Sequence, residues 1–132
     1  MNRRTFFKAL LALFAGAQLP AIAGAKPEPE PKRIFIQRSP IAGAQYYDAP
    51  VIDSLAKHSD TLTLKREPHN PYDKRAVAIY WRNHKIGYIP RRENRIIAQM
   101  MDAGEDLQAR LAIVSTAYPQ WADWEVDVEV VG

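Results

Sequence analysis

The chain has 132 residues, the size of a single domain, and 47% of them are hydrophobic, enough for a compact core. It contains no cysteine, which excludes disulfides, thiolate nucleophiles, thioether-linked haem and Cys-based zinc or iron–sulfur sites. The formal net charge of +3 points towards a polyanion partner, but Arg3, Arg4 and Lys8 account for all of it.

Those three residues belong to a layout of their own. Met1 to Lys8 is basic, Ala9 to Leu19 is mildly apolar, and Pro20 is followed by small residues through Ala25. This is the three-part pattern of a secretory signal, too short for a membrane-spanning helix of about 20 residues. Asn2-Arg3-Arg4-Thr5-Phe6-Phe7-Lys8 resembles the twin-arginine export motif, with Asn2 where Ser or Thr is usual and Phe7 where Leu is common. An ordinary secretory signal that contains two arginines fits the same residues. Residues 1–25 are therefore expected to be a signal peptide, and the protein to be exported to the periplasm with no stable membrane span after cleavage. Small-x-small triplets end at Ala23 and Ala25; removal of residues 1–25 takes Lys+Arg from 18 to 15, equal to the 15 Asp+Glu. The remaining charge is bipolar: Lys26 to Met101 carries 14 basic and 8 acidic residues (+6), and Asp102 to Gly132 carries Arg110 against seven acidic residues (−6).

Residues 26–32, KPEPEPK, form a Pro/Glu-rich linker that favours extended polyproline II. The domain proper spans 33–132. Arg33 to Gln37 reads as a first strand that runs out at Ser39-Pro40. Ile41 to Ala44 is small and apolar, with Gly43 permitting close backbone approach. Tyr46 and Tyr47 are adjacent and cannot both point inward, so one should be exposed. Pro50 to Lys57 is expected to make one or two helical turns with Val51, Ile52 and Leu55 facing the core. Thr61 to Glu67 alternates as a strand. Pro68 and Pro71 stiffen a polar loop around His69 and Asn70. Val77, Ile79 and Trp81 then alternate with Ala78, Tyr80 and Arg82; a turn at Asn83-His84 leads to a strand over Lys85–Ile89, ended by Pro90. Arg91 to Ala103 reads as the main helix, with Ile96, Ile97, Met100 and Met101 as its apolar stripe and Gly104 as its stop. Leu107 to Ile113 and Trp124 to Val130 alternate as the last two strands. The pattern is mainly β with one main helix, a small barrel-like domain.

Three groups could carry chemistry. Arg91, Arg92 and Arg95 crowd the expected helix start, where the dipole disfavours cations and free N–H groups suit an anion such as phosphate; a solvated basic face partly offset by Glu93 fits equally. Tyr46, Tyr47, Tyr72 and Tyr88 could stack on unpaired bases, or fill the core and rim. His58, His69 and His84 lie in separate segments without metal-ligand spacing, so neither a metal nor another cofactor is expected. His69 with Asp73 is the one pair that a small hydrolase could use, and no catalytic residue is assigned.

Glu67-Pro68-His69-Asn70-Pro71-Tyr72-Asp73-Lys74-Arg75-Ala76-Val77, followed by Ile86-Gly87-Tyr88-Ile89-Pro90 and preceded by Ile41 to Tyr47, resembles the HIRAN domain, over about Phe35 to Ile113. Such domains occur attached to SWI/SNF-type helicases and alone in bacteria, and the chain resembles a stand-alone bacterial member. The resemblance implies a small OB-like β-barrel that captures single-stranded DNA with a free 3′-hydroxyl end. It implies stacking by Tyr46 on the terminal base, Tyr72 and Asp73 at the end-binding pocket, and Asn70 in the same rigid loop. Gln45 stands where the family pattern has a DNA-contacting arginine, and Tyr88 where it has a phosphate-contacting histidine. The helicase, ATPase and ubiquitin-ligase activities found beside such domains are not encoded in these residues.

The expected function is thus a non-enzymatic nucleic-acid-binding module for single-stranded DNA ends, using Gln45, Tyr46, Asn70, Tyr72, Asp73, Tyr88, Arg91, Arg92 and Arg95. The alternative is a periplasmic protein- or envelope-interaction module that reuses the same barrel and pocket. The export route has a direct test. Replacing Arg3 and Arg4 by Lys should stop export of a reporter fusion, and unchanged export in a strain lacking the twin-arginine translocase would contradict that route.

Overall fold

The computed structural model describes residues 32–132; the expected signal peptide, 1–25, and linker residues 26–31 lie outside the described residues. Six strands, β1 (Arg33–Pro40), β2 (Thr61–Glu67), β3 (Ala76–Trp81), β4 (His84–Tyr88), β5 (Leu107–Ile113) and β6 (Trp124–Val131), form one antiparallel sheet in the order β1-β6-β5-β2-β3-β4. Two short helices accompany it, α1 (Ala49–Ile52) and α2 (Arg95–Asp102), with 3₁₀ turns at Ala44–Tyr46, Arg91–Glu93 and Gln120–Asp123.

The alternation of β5 and β6 fixes one half of the sheet. Trp124, Val126 and Val128 are buried while Glu125, Asp127 and Glu129 face out, so one face of β6 belongs to the core. Asp127 opposite Arg38 and Glu129 near Arg33 and Arg110 turn the outer face into a ladder of ion pairs. β2 then changes partner midway. Thr61 and Leu62 pair with β5, whereas Thr63 to Glu67 pair with β3, so the sheet turns a corner along this one strand. β3 is covered on both sides: Ala76 and Ala78 are buried as well as Val77, Ile79 and Trp81.

Several boundaries differ from expectation. β1 is not among them: it ends at Pro40 as expected, past an irregularity between Phe35 and Gln37. The β3–β4 turn is Arg82-Asn83 rather than Asn83-His84, with Arg82 at φ 52° and Trp81 paired to His84. α1 has only four residues, and it turns Ile52, together with Ala56 beyond it, to the core; Val51 and Leu55 are 69% and 60% exposed. Asp53, just past α1, accepts the Trp121 N–H at 2.8 Å, which anchors the chain there instead of extending the helix. The main helix is a 3₁₀ turn followed by α2. Buried Asn94 separates the two, its carbonyl taking the Ala98 N–H at 2.8 Å and its side chain committed elsewhere. Starting after Asn94, α2 turns Ile97, Ala98 and Met101 to the core and leaves Ile96 46% exposed.

Among the described residues no ladder joins the end strands β1 and β4, so the sheet is not a closed barrel. The segment after β1 instead meets the end of β4 at one bridge, where Ala42 N–H donates to Tyr88 O at 2.8 Å and Tyr88 N–H to Ala42 O at 3.0 Å. Gly87 makes this approach possible. A Cβ there would lie 2.5 Å from Ile41 Cγ2 and 2.6 Å from Ala42 O, and its φ of +147° disfavours any side chain. Gly87→Ala should therefore lower stability by about 2 kcal/mol or more in urea unfolding, overpacking and backbone strain acting together. A loss below about 0.5 kcal/mol would mean that the bridge does not constrain the fold.

Candidate functional site

The bridge brings three segments to one place: the turn carrying Tyr47, the end of β4 carrying Tyr88, and the loop between β2 and β3. That loop is rigid because Asn70 stitches it to itself. Its Oδ1 accepts the N–H groups of Tyr72 (2.9 Å) and Asp73 (3.2 Å), an Asx turn closed over Pro71. Its Nδ2 donates to Glu67 Oε1 at 3.0 Å. Tyr72 is thereby pushed outward, 85% exposed, while Asp73 turns inward. Asp73 Oδ1 accepts the Arg75 N–H at 2.9 Å and Oδ2 accepts Asn94 Nδ2 at 2.7 Å. Each carboxylate oxygen retains acceptor capacity for a ligand hydroxyl. Asn94 is fully buried, and its Oδ1 has no partner among the described residues. An unpaired buried carbonyl costs about 1–3 kcal/mol, yet the other end of the same amide fixes Asp73.

Behind the loop lies a second cluster. Tyr88 OH donates to Glu67 Oε1 (2.8 Å); Lys85 Nζ donates to Tyr88 OH (2.6 Å) and to Glu67 Oε2 (3.1 Å). Lys85 Nζ also lies 4.4 Å from the Tyr88 ring centre and 5.1 Å from that of Tyr47, and the two rings meet edge to face at 5.7 Å. Burial pushes the Glu67 carboxyl up, but hydrogen bonds from Asn70, Tyr88 and Lys85 and the charge of Lys85 outweigh it, so it titrates below its ordinary value. Burial pulls Lys85 down, and its bonds to Tyr88 and Glu67 more than offset this, so it titrates above its ordinary value. Burial and the neighbouring carboxylate raise Tyr88 against the pull of Lys85. Lysinium, carboxylate and neutral phenol therefore coexist. Tyr88 itself cannot carry the charge of a histidine, but the Lys85 ammonium lies directly against its ring.

Ala42, Tyr47, Asn70, Pro71, Tyr72, Asp73, Ala76, Tyr88, Ile89 and Arg91 line an open groove of about 360 Å³. Five of the expected site residues, Asn70, Tyr72, Asp73, Tyr88 and Arg91, thus come together. Arg92 and Arg95 stand beside Arg91 and Arg75 in an adjoining concavity. Arg91 and Arg92 lie in the 3₁₀ turn and Arg95 is the first residue of α2, so the three do not share the first turn of one helix. Gln45 and Tyr46 are exposed on the Ala44–Tyr46 turn and do not line the groove; Tyr46 is 79% exposed. The aromatic at the groove is Tyr47, which the adjacent pair in the sequence marks only as one of two alternatives. Glu67, Lys85 and Asn94 are support that sequence reasoning missed. His69 is exposed and makes no side-chain hydrogen bond to Asp73 among the described residues.

Eight of the nine described arginines divide into two sets; Arg82, 4.4 Å over the Trp81 ring, stands apart. Arg33, Arg38, Arg66 and Arg110 each pair with a carboxylate. Among the described residues Arg75, Arg91, Arg92 and Arg95 form no ion pair within 4.0 Å. Asp102, Asp127 and Glu129 of the acidic end are thus taken up by ion pairs, and four arginines without one stand beside the groove.

Sheet order and groove together define a small antiparallel β domain with a preformed aromatic cleft facing free arginines. Residues 34–130 match the HIRAN domain family, and the chain belongs to that family. It is 33% identical over 66 residues, 49% of its length, to the helicase-like transcription factor of Mus musculus, of which it covers only 6%. A solved protein from Lactobacillus plantarum shares the fold with a TM-score of 0.66 and 24% identity, over 76% of this chain and 96% of that one. The HIRAN domain of human HLTF shares it with a TM-score of 0.59 and 20% identity, over 76% and 79% of the two chains.

The Glu67 cluster predicts a pH dependence. With a folded-state pKa below that of unfolded glutamate, about 4.3, its contribution is present above that value and lost as pH falls through the lower folded one. Glu67→Gln should cost about 1–3 kcal/mol at neutral pH. It should also flatten the loss of stability in urea titrations as pH falls below about 4. An unchanged acid limb would show that the network does not depend on the carboxylate.

Proposed function

We infer that this domain binds single-stranded nucleic acid without turnover and seats a free 3′-hydroxyl end in the groove between Tyr47, Tyr72, Asp73 and Tyr88. The observation that carries this reading is the Asp73 carboxylate. It is held from two sides, with acceptor capacity to spare, next to an almost fully exposed tyrosine and an unpaired Arg91. A terminal hydroxyl can donate to Asp73, the end base can stack on Tyr72 or Tyr47, and Arg91 offsets phosphate charge. Family membership and the relative named helicase-like transcription factor support a nucleic-acid ligand. An Asp73 already tied to Arg75 and Asn94, and not to His69, supports binding over hydrolysis.

The export-like residues 1–25 favour one competing reading, a periplasmic protein- or envelope-interaction module that uses the same groove. The charge separation that would suit such a partner is reduced by the Arg33–Glu129, Arg38–Asp127 and Arg66–Asp102 pairs, which join the two halves.

Labelled DNA with a 3′-hydroxyl should bind the protein at least about tenfold more tightly than the same strand with a 3′-phosphate, because the phosphate meets Asp73 with like charge. Asp73→Ala should remove that preference, and Tyr72→Ala should weaken binding by about 1–3 kcal/mol. Equal affinity for both ends, or none at low salt, overturns the reading; binding indifferent to end and salt favours the protein-interaction module.

A further inference from the structure

The groove does not end at Asp73. A concavity of about 450 Å³ lined by Pro71, Tyr72, Asp73, Lys74, Arg75 and Arg91 adjoins it. Arg75 and Arg91 also line the next one, of about 490 Å³, with Arg92, Arg95 and Gln37. Arg91 borders all three hollows, so they form one surface from the aromatic groove to the arginine cluster.

The two sides of this surface come from segments far apart in sequence. Arg75 closes the β2–β3 loop, whereas Arg91, Arg92 and Arg95 follow β4. The 2.7 Å bond from Asn94 to Asp73 clamps these segments together, and Gln37 Nε2, donating to Glu93 O at 2.8 Å, fixes the far wall to β1. The segments that carry the arginines are therefore held in place by the fold. Among the described residues Glu93 is the only acidic residue lining the arginine hollow, and none of the four arginines forms an ion pair, although Arg33, Arg38, Arg66 and Arg110 all do. A concave row of unpaired guanidiniums suits the repeated phosphates of an extended strand.

We propose that the Arg75–Arg91–Arg92–Arg95 cleft is a second, sequence-independent subsite that holds the phosphates on the 5′ side of the terminal nucleotide. The inference rests on the end-binding reading above and adds a direction to it: the strand runs from Asp73 over Arg91 towards Arg95. The ligand is then a single-stranded overhang several nucleotides long, and a mononucleotide or a one-base end is bound poorly.

The test titrates the protein with 3′-hydroxyl thymidine oligomers of about two, four and eight nucleotides across a salt series. The longest should bind at least about tenfold more tightly than the shortest, with a log–log salt slope near −3 for about four phosphates. In Arg92→Gln/Arg95→Gln the length advantage should shrink to about twofold and the slope to about −1.5. Arg75→Gln should act in the same direction, and Arg33→Gln, on the β1–β6 face, should leave both quantities as they were. Circular dichroism of each variant separates loss of fold from loss of binding. End preference without any length gain, or a slope unaltered by losing Arg92 and Arg95, overturns the subsite and leaves the end pocket standing. Length-dependent binding blind to the 3′ group keeps the cleft and removes the end pocket. No binding at any length overturns both.

Discussion

At the end of β2, Glu67 accepts hydrogen bonds from Asn70, Tyr88 and Lys85, and each bond commits a different part of the site. Asn70 commits the loop, since the same amide folds Tyr72 and Asp73 into place. Tyr88 commits the end of β4, which the Ala42 bridge ties to the turn bearing Tyr47. Lys85 sets its ammonium against both tyrosine rings. One partly buried carboxylate thus holds the geometry of a groove whose walls come from three segments. Leaving such a hub half-satisfied would be worse than having none, because its donors would remain desolvated.

A second polar bond completes the frame. The Asn94 side chain reaches Asp73 instead of capping α2, whose first turn its backbone carbonyl still closes, and its Oδ1 has no partner among the described residues. Stability by itself would favour an uninterrupted helix and a satisfied amide. Local rules broken at a site are where function is expected to reside. The same bond holds Arg75 beside the arginines that follow β4, so one contact shapes both the end pocket and the cationic cleft.

Much of the fold was legible because its strands alternate. β2 and β6 show period-two patterns that burial follows, and the Pro68–Pro71 loop announces its stiffness through fixed φ angles. The remaining parts depend on contacts distant in sequence. Nothing near Asn94 signals a partner 21 residues away, so the helix was expected to start at Arg91. The choice between Tyr46 and Tyr47 depends on Gly43 and on where the Ala42 bridge sends the turn. The bipolar charge of the chain looked like a surface property; Arg38 and Asp127, 89 residues apart, pair bidentately across β1 and β6 and remove part of it.

The most direct test of a preformed loop and groove as the ligand site is amide chemical-shift mapping on the isotope-labelled protein during titration with a short 3′-hydroxyl oligonucleotide. The account predicts large shifts at Tyr72, Asp73, Arg75 and Arg91, with β1 and β6 nearly silent and the Asn70 and Glu67 amides moving little, because that frame is set before the ligand arrives. Shifts centred on the β1–β6 face, or a loop that becomes ordered only on binding, would contradict it.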